Sequence, residues 1–256
     1  MTWVVGAVTP IGQAFIIADT RVTFGDKREA DLIQKVYWIG RDMVAGFSGS
    51  VKIGFALLND LARKLMPENG ADVIWKPEAV AKRWSVEAAA LFNAHDEDER
   101  RLQCSVLIAA VAPRNNGPFP YTVLIELRSP HFKPHYLGRY GQTQIGSGKQ
   151  NEVYREWVEG YFNNPQFMVN FATWETAIGS VLAQSLSDKV KEHPKAGVSP
   201  YMHVIACGRG TRSLSRVPGH QPWDDTPDPF PFVATTFADF QALAEKKGFA
   251  VSAAAA

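Results

Sequence analysis

Apolar residues fall in short continuous runs over the first fifty positions of the chain. Two such runs, 3–8 and 13–18, are separated by a Thr-Pro-Ile-Gly segment at 9–12, which predicts an antiparallel hairpin. The runs 35–40 and 43–47 repeat the arrangement around a Gly-Arg-Asp turn. Two hairpins in succession predict the start of an antiparallel sheet.

The apolar spacing then changes from continuous runs to a helical period. Over residues 50–65 apolar side chains recur every three or four positions, which predicts an amphipathic helix ending before Pro67. A second helix is predicted over 77–92, with Pro77 at its first position. The charged stretch at 95–101 predicts a solvent-exposed turn.

The second half of the chain repeats this order of elements. Strands are predicted over 105–111, 121–127, 135–138, 202–207 and 213–217, and helices over 150–161 and 173–190. The order of strands, two helices, strands, two helices and strands suits two antiparallel sheets packed together between helical layers. We therefore expect an α+β domain over residues 1–217.

Residues 218–256 differ in composition and are treated as a C-terminal extension. Prolines and aspartates over 218–232 predict an extended strap, and Thr236-Phe-Ala-Asp239 resembles a capping box that opens a short helix. The segment holds five aromatic residues, Trp223, Phe230, Phe232, Phe237 and Phe240. Left exposed they would form a large apolar patch, so they are predicted to pack on a neighbouring subunit or on their own domain.

Composition narrows the class of protein without identifying it. Hydrophobic residues make up 46% and charged residues 21% of 256 positions, and the formal net charge of +1 predicts neither a nucleic-acid partner nor an anionic membrane surface. No basic residue precedes Arg21 and no apolar run nears a membrane span of about 20 residues, so we expect a cytoplasmic protein. Cys104 and Cys207 lie in separate apolar runs, which predicts buried core thiols.

Thr2 is the first candidate for chemistry. Removal of Met1 would leave a threonine with a free α-amino group, and that amine, with a reference pKa of about 7.7–8.0, can accept the proton of the threonine hydroxyl. We expect no propeptide, so maturation would depend on methionine removal alone. A retained Met1 would block the amine and leave the protein inactive.

Other candidates lie at predicted strand ends. Asp19 ends the second strand, Lys35 opens the next one sixteen residues further on, and Ser-Gly-Ser at 48–50 joins a strand to a helix. Taken singly, Asp19 also suits a turn cap and Lys35 a solvated strand position. Glycines also serve simply to shape a turn.

The features that carry a family resemblance are Thr2, Ala18–Thr23, Lys35, the Ser-Gly-Ser turn at 48–50 and Ile-Gly-Ser-Gly at 145–148. Through these features the chain resembles the proteasome β-subunit family, which includes HslV and the Anbu proteins. The resemblance is strongest over residues 2–65 and continues in less detail to about Cys207. It implies the four-layer αββα sandwich of N-terminal nucleophile hydrolases and the activity of a threonine peptidase. The long segment after Cys207 is more like Anbu than a minimal HslV-like subunit.

The resemblance also implies a role for each candidate residue. Thr2 Oγ would attack a peptide carbonyl, with the Thr2 amine as base and then acid. Lys35 would depress the pKa of that amine, and Asp19 would hold Lys35 charged. The N–H of Gly49 would bind the oxyanion, and Ser147 would position the amine or a water.

The chain departs from the family pattern at one point and is ambiguous at another. The family has an Asp followed three residues later by a Ser near the last helix-to-strand connection, whereas 193–199 supplies Ser199 without that Asp. The residues where the family lines its first specificity pocket are all apolar here, and they are Val22, Ile33, Phe47 and Val51. They predict cleavage after hydrophobic residues. Plain core packing is the alternative.

The resemblance implies assembly into a homo-oligomeric ring or helical stack that encloses its active sites. It also implies a peptide or unfolded-protein substrate that an ATP-dependent unfoldase supplies.

We expect no cofactor and no metal, because the six histidines are scattered and prolines separate His131 from His135. Two alternatives stay open. One is a non-peptidase amidase on the same fold, and the other is a catalytically silent scaffold that never frees Thr2.

Overall fold

The computed structural model describes residues 2–9, 12–65, 76–112, 121–137, 141–163, 177–208, 211–217 and 230–251. The strands are β1 Trp3–Val8, β2 Ala14–Asp19, β3 Arg21–Thr23, β4 Glu29–Asp31, β5 Val36–Gly40, β6 Met43–Gly49, β7 Cys104–Ala112, β8 Tyr121–Arg128, β9 His135–Tyr136, β10 Gly141–Gly146, β11 Met202–Gly208 and β12 Thr211–Val217. The helices are α1 Val51–Leu65, α2 Pro77–Ala94, α3 Glu97–Arg101, α4 Glu152–Phe162, α5 Ala177–Glu192 and α6 Phe237–Lys246, with a 3₁₀ turn at Ser147–Gln150.

The strands form two five-stranded antiparallel sheets and one short ribbon. The first sheet has the order β10-β1-β2-β11-β12, the second has the order β5-β6-β7-β8-β9, and β3 pairs with β4. Both hairpins predicted from the first fifty residues are confirmed, since β1 pairs with β2 and β5 with β6. The mixed helix and sheet class with antiparallel sheets agrees with the expectation.

Three apolar clusters hold the sheets and helices together. One lies between the sheets and joins Val4 and Ile16 of the first to Leu107 and Leu124 of the second. Side chains of α1, α2 and α6 pack with strands of the second sheet, and side chains of α4 and α5 pack with strands of the first. The sheets approach closely at Gly6, where an added Cβ would lie 2.5 Å from Leu107.

Strand β10 was not predicted, because its Gly-Gln-Thr-Gln-Ile-Gly sequence has no apolar run. It pairs with β1, and Trp3 stands opposite Gly146. The ribbon of β3 and β4 was also not predicted, because charged residues rather than an apolar run join its strands. Arg21 Nε donates to Asp31 Oδ1 at 2.9 Å across the two strands.

The predicted exposed turn at 95–101 is wrong, because residues 97–101 form helix α3. Asp96 caps this helix by accepting from Glu99 N, and the Glu99 side chain is buried, where it accepts a hydrogen bond from Ser50 Oγ. A count of charges predicts exposure for the segment as a whole. It does not show that one carboxylate turns inward to a hydroxyl partner.

The C-terminal residues 234–251 pack on the second sheet's side of the molecule, whereas the Phe230 ring contacts the His203 ring on β11 of the first sheet. Ala234 bridges to Ile33, and Phe240 of α6 is fully buried in the same cluster as α1 and α2. Thr236 Oγ1 accepts from Asp239 N, so the predicted helix cap is confirmed. Phe232 is 78% exposed, while Trp223 and most of the predicted strap at 218–232 lie outside the described residues.

Cys104 and Cys207 are free and buried, as predicted, and burial raises the pKa of the Cys207 thiol to about 12. In the part of the chain that the structure describes, no helix is both long enough and apolar enough to span a membrane.

Candidate active site

Thr2 lies at the start of β1, at the open end of the space between the sheets. The β1–β2 register places Val4 opposite Ala18, so Asp19 at the end of β2 comes next to Thr2. Thr2 Oγ1 donates to Asp19 Oδ1 at 2.6 Å, and Trp3 N donates to the same oxygen at 2.9 Å. Antiparallel pairing therefore brings together two residues that stand seventeen positions apart.

Lys35, just before β5, completes a buried group of three polar side chains. Its Nζ donates to Thr2 Oγ1, to Asp19 Oδ1 at 2.9 Å and to the Arg21 carbonyl at 2.6 Å. An ammonium has three N–H donors, so each of them has an acceptor here. Burial lowers the pKa of Lys35, and the neighbouring Asp19 carboxylate acts in the opposite direction.

Asp19 is held in place by backbone donors as well. Its Oδ2 accepts from Arg21 N at 3.2 Å and from Ser199 N at 3.1 Å. The backbone of Ser199 therefore reaches the site, while its Oγ accepts from Tyr201 N at 3.1 Å inside its own turn. This orientation aims the other oxygen of Asp19 at the Thr2 hydroxyl and at Lys35.

Ser147 holds the main chain of Thr2. Thr2 N donates to Ser147 Oγ at 3.1 Å, the hydroxyl donates back to the Thr2 carbonyl at 3.2 Å, and Gly148 N donates to that carbonyl at 3.0 Å. Gly146 has φ +86°, and a Cβ there would lie 2.4 Å from the Thr2 carbonyl oxygen. Glycine is required at 146 because its backbone approaches the backbone of Thr2 so closely.

Gly49 ends β6 beside this group and is also constrained by close approach. Its φ is +104°, and a Cβ would lie 2.3 Å from the Gln103 carbonyl oxygen. The next residue, Ser50, donates from its N to that carbonyl at 2.9 Å, and its Oγ accepts from Ile53 N at 3.1 Å to cap α1. Ser50 Oγ also donates to Glu99, so α3 supports the turn from behind.

A cleft of about 410 Å³ opens over Thr2. It is lined by Thr2, Ser48, Gly49, Leu102, Gln103, Cys104, Ser105, Glu126, Arg128, Ile145, Gly146, Ser147, Lys149 and Gln150. Of the predicted catalytic residues, Thr2, Gly49 and Ser147 reach the cleft and Asp19 and Lys35 lie behind Thr2. A larger groove of about 700 Å³ between α4, α5 and β12 contains none of these five residues.

The four residues predicted to set specificity do not lie on the cleft. Val22, Ile33, Phe47 and Val51 are fully buried, and all belong to the apolar cluster of α1, α2 and the second sheet. None of the four is among the residues that line the cleft, and their part in substrate choice stays a prediction.

Polar residues that the sequence pattern did not single out also lie at or near the site. Glu126 and Arg128 follow Leu124 at alternate positions of β8, and this period of two was the available signal. His203, opposite Ala18 in the first sheet, is fully buried, and neither of its ring nitrogens has a hydrogen-bond partner among the described residues. Burial lowers the pKa of His203 to about 3, with Arg216 and Lys35 adding to the effect.

The described residues include no group of three or more His, Cys, Asp or Glu side chains placed to hold a metal ion. The site as it stands offers a hydroxyl in contact with an ammonium and a carboxylate, an adjacent glycine turn and a clamped main chain. This arrangement suits attack by Thr2 Oγ1 on a carbonyl carbon.

Neither a protein-family model nor a curated protein matches this sequence. Among solved structures, the chain is similar to Anbu (ancestral beta-subunit) from Yersinia bercovieri, with a TM-score of 0.60 and 12% sequence identity. The match covers 84% of this chain and 87% of that chain. At this identity the likeness shows the fold alone.

Proposed function

We propose that the chain is a threonine peptidase subunit with the four-layer αββα architecture of N-terminal nucleophile hydrolases. One observation carries the proposal: Thr2 Oγ1 contacts both Lys35 Nζ and Asp19 Oδ1 at the edge of a cleft. The three apolar clusters, one between the sheets and one on either side of them, support the proposed order of layers.

In the proposed reaction, Thr2 Oγ1 attacks the carbonyl carbon of a peptide bond after Met1 has been removed. The free α-amine takes the hydroxyl proton and passes it to the leaving amine as the C–N bond breaks. Water then attacks the resulting ester, and the Thr2 hydroxyl is regenerated. Lys35 stabilises the negative charge that develops on Oγ1, because its ammonium contacts that atom, and Asp19 keeps Lys35 charged and oriented.

Two further groups act on the backbone and on the oxyanion. Ser147 Oγ holds Thr2 N, so it would orient the free amine toward Oγ1. The N–H of Gly49 is proposed to stabilise the oxyanion, a contact whose loss costs about 3 kcal/mol in other hydrolases. The constrained φ of Gly49 and the support of Ser50 by Glu99 would keep that donor fixed.

The proposed substrate is a peptide or an unfolded protein, enclosed by a homo-oligomeric ring or helical stack and supplied by an ATP-dependent unfoldase. The similarity to Anbu supports a proteasome-like subunit. The proposed location is the cytoplasm, which suits two free buried thiols.

A catalytically silent scaffold is the second candidate. The nitrogen of Thr2 is an amide while Met1 is attached, and an amide cannot serve as the base. A non-peptidase amidase on the same fold is the third, favoured by the volume of the cleft, about 410 Å³, which suits a small amide substrate.

The test is an intact mass spectrum of the purified protein after incubation with a peptide epoxyketone, which needs both the threonine hydroxyl and its free amine. We expect loss of Met1 and one adduct. Thr2→Ala should give none, and Thr236→Ala, which changes the exposed cap of α6, should react as the parent does. Retained Met1 without an adduct would favour the silent scaffold, and Asp19 and Lys35 would then be structural.

A further inference from the structure

The second sheet contributes charged residues to the cleft that the proposed reaction does not use. Glu126 and Arg128 stand two residues apart on β8, so they project from the face that bears Leu124, which packs between the sheets. Both line the cleft over Thr2, and Lys149 lines it from the 3₁₀ turn that follows β10. These are the charged residues of the cleft lining within the described part of the chain.

The geometry of the β8 pair leaves the guanidinium available to a ligand. Arg128 Nε donates to Glu126 Oε1 at 2.5 Å, and the side chains are 57% and 5% exposed respectively. The buried carboxylate therefore orients an exposed guanidinium. No residue in the described ranges accepts a hydrogen bond from the two terminal nitrogens of Arg128.

The charge balance favours an anion. Glu126 offsets Arg128, which leaves the cationic Lys149 without an ion pair among the described residues. A planar guanidinium matches a carboxylate through two parallel N–H donors, and a cleft with low-dielectric walls strengthens its own field. A cationic substrate group would have to displace Arg128 before it reached Glu126.

We propose that Arg128 and Lys149 form a carboxylate-binding subsite of the cleft, with Glu126 as the positioning residue for Arg128. This rests on the proposed function, since it places the substrate against Thr2. The carboxylate is either an Asp or Glu side chain of the substrate or the free C-terminal carboxylate of a short peptide. The subsite would thus select acidic or short, free-ended substrates.

Binding to the uncleaving Thr2→Ala variant tests the subsite separately from the chemistry. The probes are alanine hexapeptides with acetylated and amidated ends, in which one Glu is moved through the six positions, each matched by the Gln peptide. A further peptide has a free C-terminal carboxylate in place of the amide. Calorimetry at low salt should show binding about 5- to 10-fold tighter for one Glu position or for the free acid, and the contrast should shrink at high salt.

The two sources give different results. A Glu at one internal position identifies a side-chain carboxylate, and tighter binding of the free acid identifies the C-terminus. In the same Thr2→Ala background, Arg128→Gln should abolish the difference in affinity between acid and neutral peptides. Lys149→Gln should reduce this difference, and Arg128→Lys should restore part of it. Arg101→Gln removes an exposed arginine of α3 that lies outside the cleft and should leave it unchanged.

Melting temperatures identify any variant that fails to fold. Arg128→Gln could fail to fold because it leaves Glu126 unpaired. In that case Lys149→Gln still tests the subsite, because Lys149 has no ion-pair partner among the described residues whose charge would be left unpaired. Equal binding of acid and neutral peptides, no binding by any acid peptide, or a contrast that survives both Gln variants would overturn the subsite. The epoxyketone adduct is measured on the parent protein, so its result tests the proposed chemistry independently of the subsite.

Discussion

The two walls of the cleft hold their charges in opposite ways. On the wall that bears Thr2, Asp19 of β2 and Lys35 just before β5 lie behind Thr2 and are 0% exposed, and each Lys35 N–H has an acceptor. On the wall of the second sheet, Arg128 is 57% exposed and has one ionic neighbour. A buried charge is tolerated only when it is fully paired, and full pairing fixes its position. The first wall is thus suited to chemistry and the second to recognition, where a ligand replaces water.

The largest expected effect concerns the buried ion pair between Lys35 and Asp19. Lys35→Met should destabilise the protein by about 3–5 kcal/mol, because it leaves the Asp19 carboxylate buried and without its cation. Urea unfolding would measure the loss. The matched change Arg101→Met removes an exposed pair with Glu97 and should cost less than about 1 kcal/mol. Equal costs for the two variants would contradict the assigned difference between the walls.

The next effect concerns the turn that joins the second sheet to α1. Gly49→Ala should cost about 1–3 kcal/mol in backbone strain, and more through the clash of its Cβ with the Gln103 carbonyl. It should also abolish the epoxyketone adduct. Gly248→Ala is the control, since φ is +74° there but nothing lies within 4 Å of the added Cβ, so a loss of only about 1 kcal/mol is expected. Thermal unfolding and mass spectrometry would compare the two.

A third effect is a pH dependence at His203. Its pKa is lowered to about 3 in the folded protein, against about 6.5 in the unfolded chain, so only the unfolded chain takes up a proton as the pH falls below 6.5. This group should therefore remove about 2 kcal/mol of stability between pH 6.5 and pH 5.

The variant His203→Phe should flatten the curve of unfolding free energy against pH over that interval. His131→Phe is the control, because His131 is exposed and its replacement should leave the curve as it is. An unaltered slope in His203→Phe would show that the imidazole has a partner or protonates in the folded state.

The smallest effect concerns the support of the Gly49 turn. Glu99→Gln keeps the shape of the side chain but weakens the charge-assisted bond from Ser50, so a loss of about 1 kcal/mol is expected. The adduct should form about tenfold more slowly, because the turn is less fixed. Glu97→Gln, on the exposed side of α3, is the control for both readouts. A rate unchanged by Glu99→Gln would limit that residue to folding.

Several elements followed directly from the sequence. Continuous apolar runs gave β1, β2, β5 and β6, and the three- and four-residue period gave α1 and α2, because each local pattern has one way to bury its apolar side. The candidates Thr2, Asp19 and Lys35 could be named from their places at strand ends and from the family resemblance. Strand β10 could not, since its polar sequence becomes a strand only by pairing with β1.

The sequence by itself determined the apolar periods, the positions of the turns and the residue types available for chemistry. Only the tertiary structure decided that Lys35 is buried on the Thr2 hydroxyl, that Glu99 turns inward to Ser50 and that Glu126 with Arg128 faces the cleft. The physical reason is that local patterns are set by neighbours along the chain. The partner of a charged side chain is set by which strands pair and in which register.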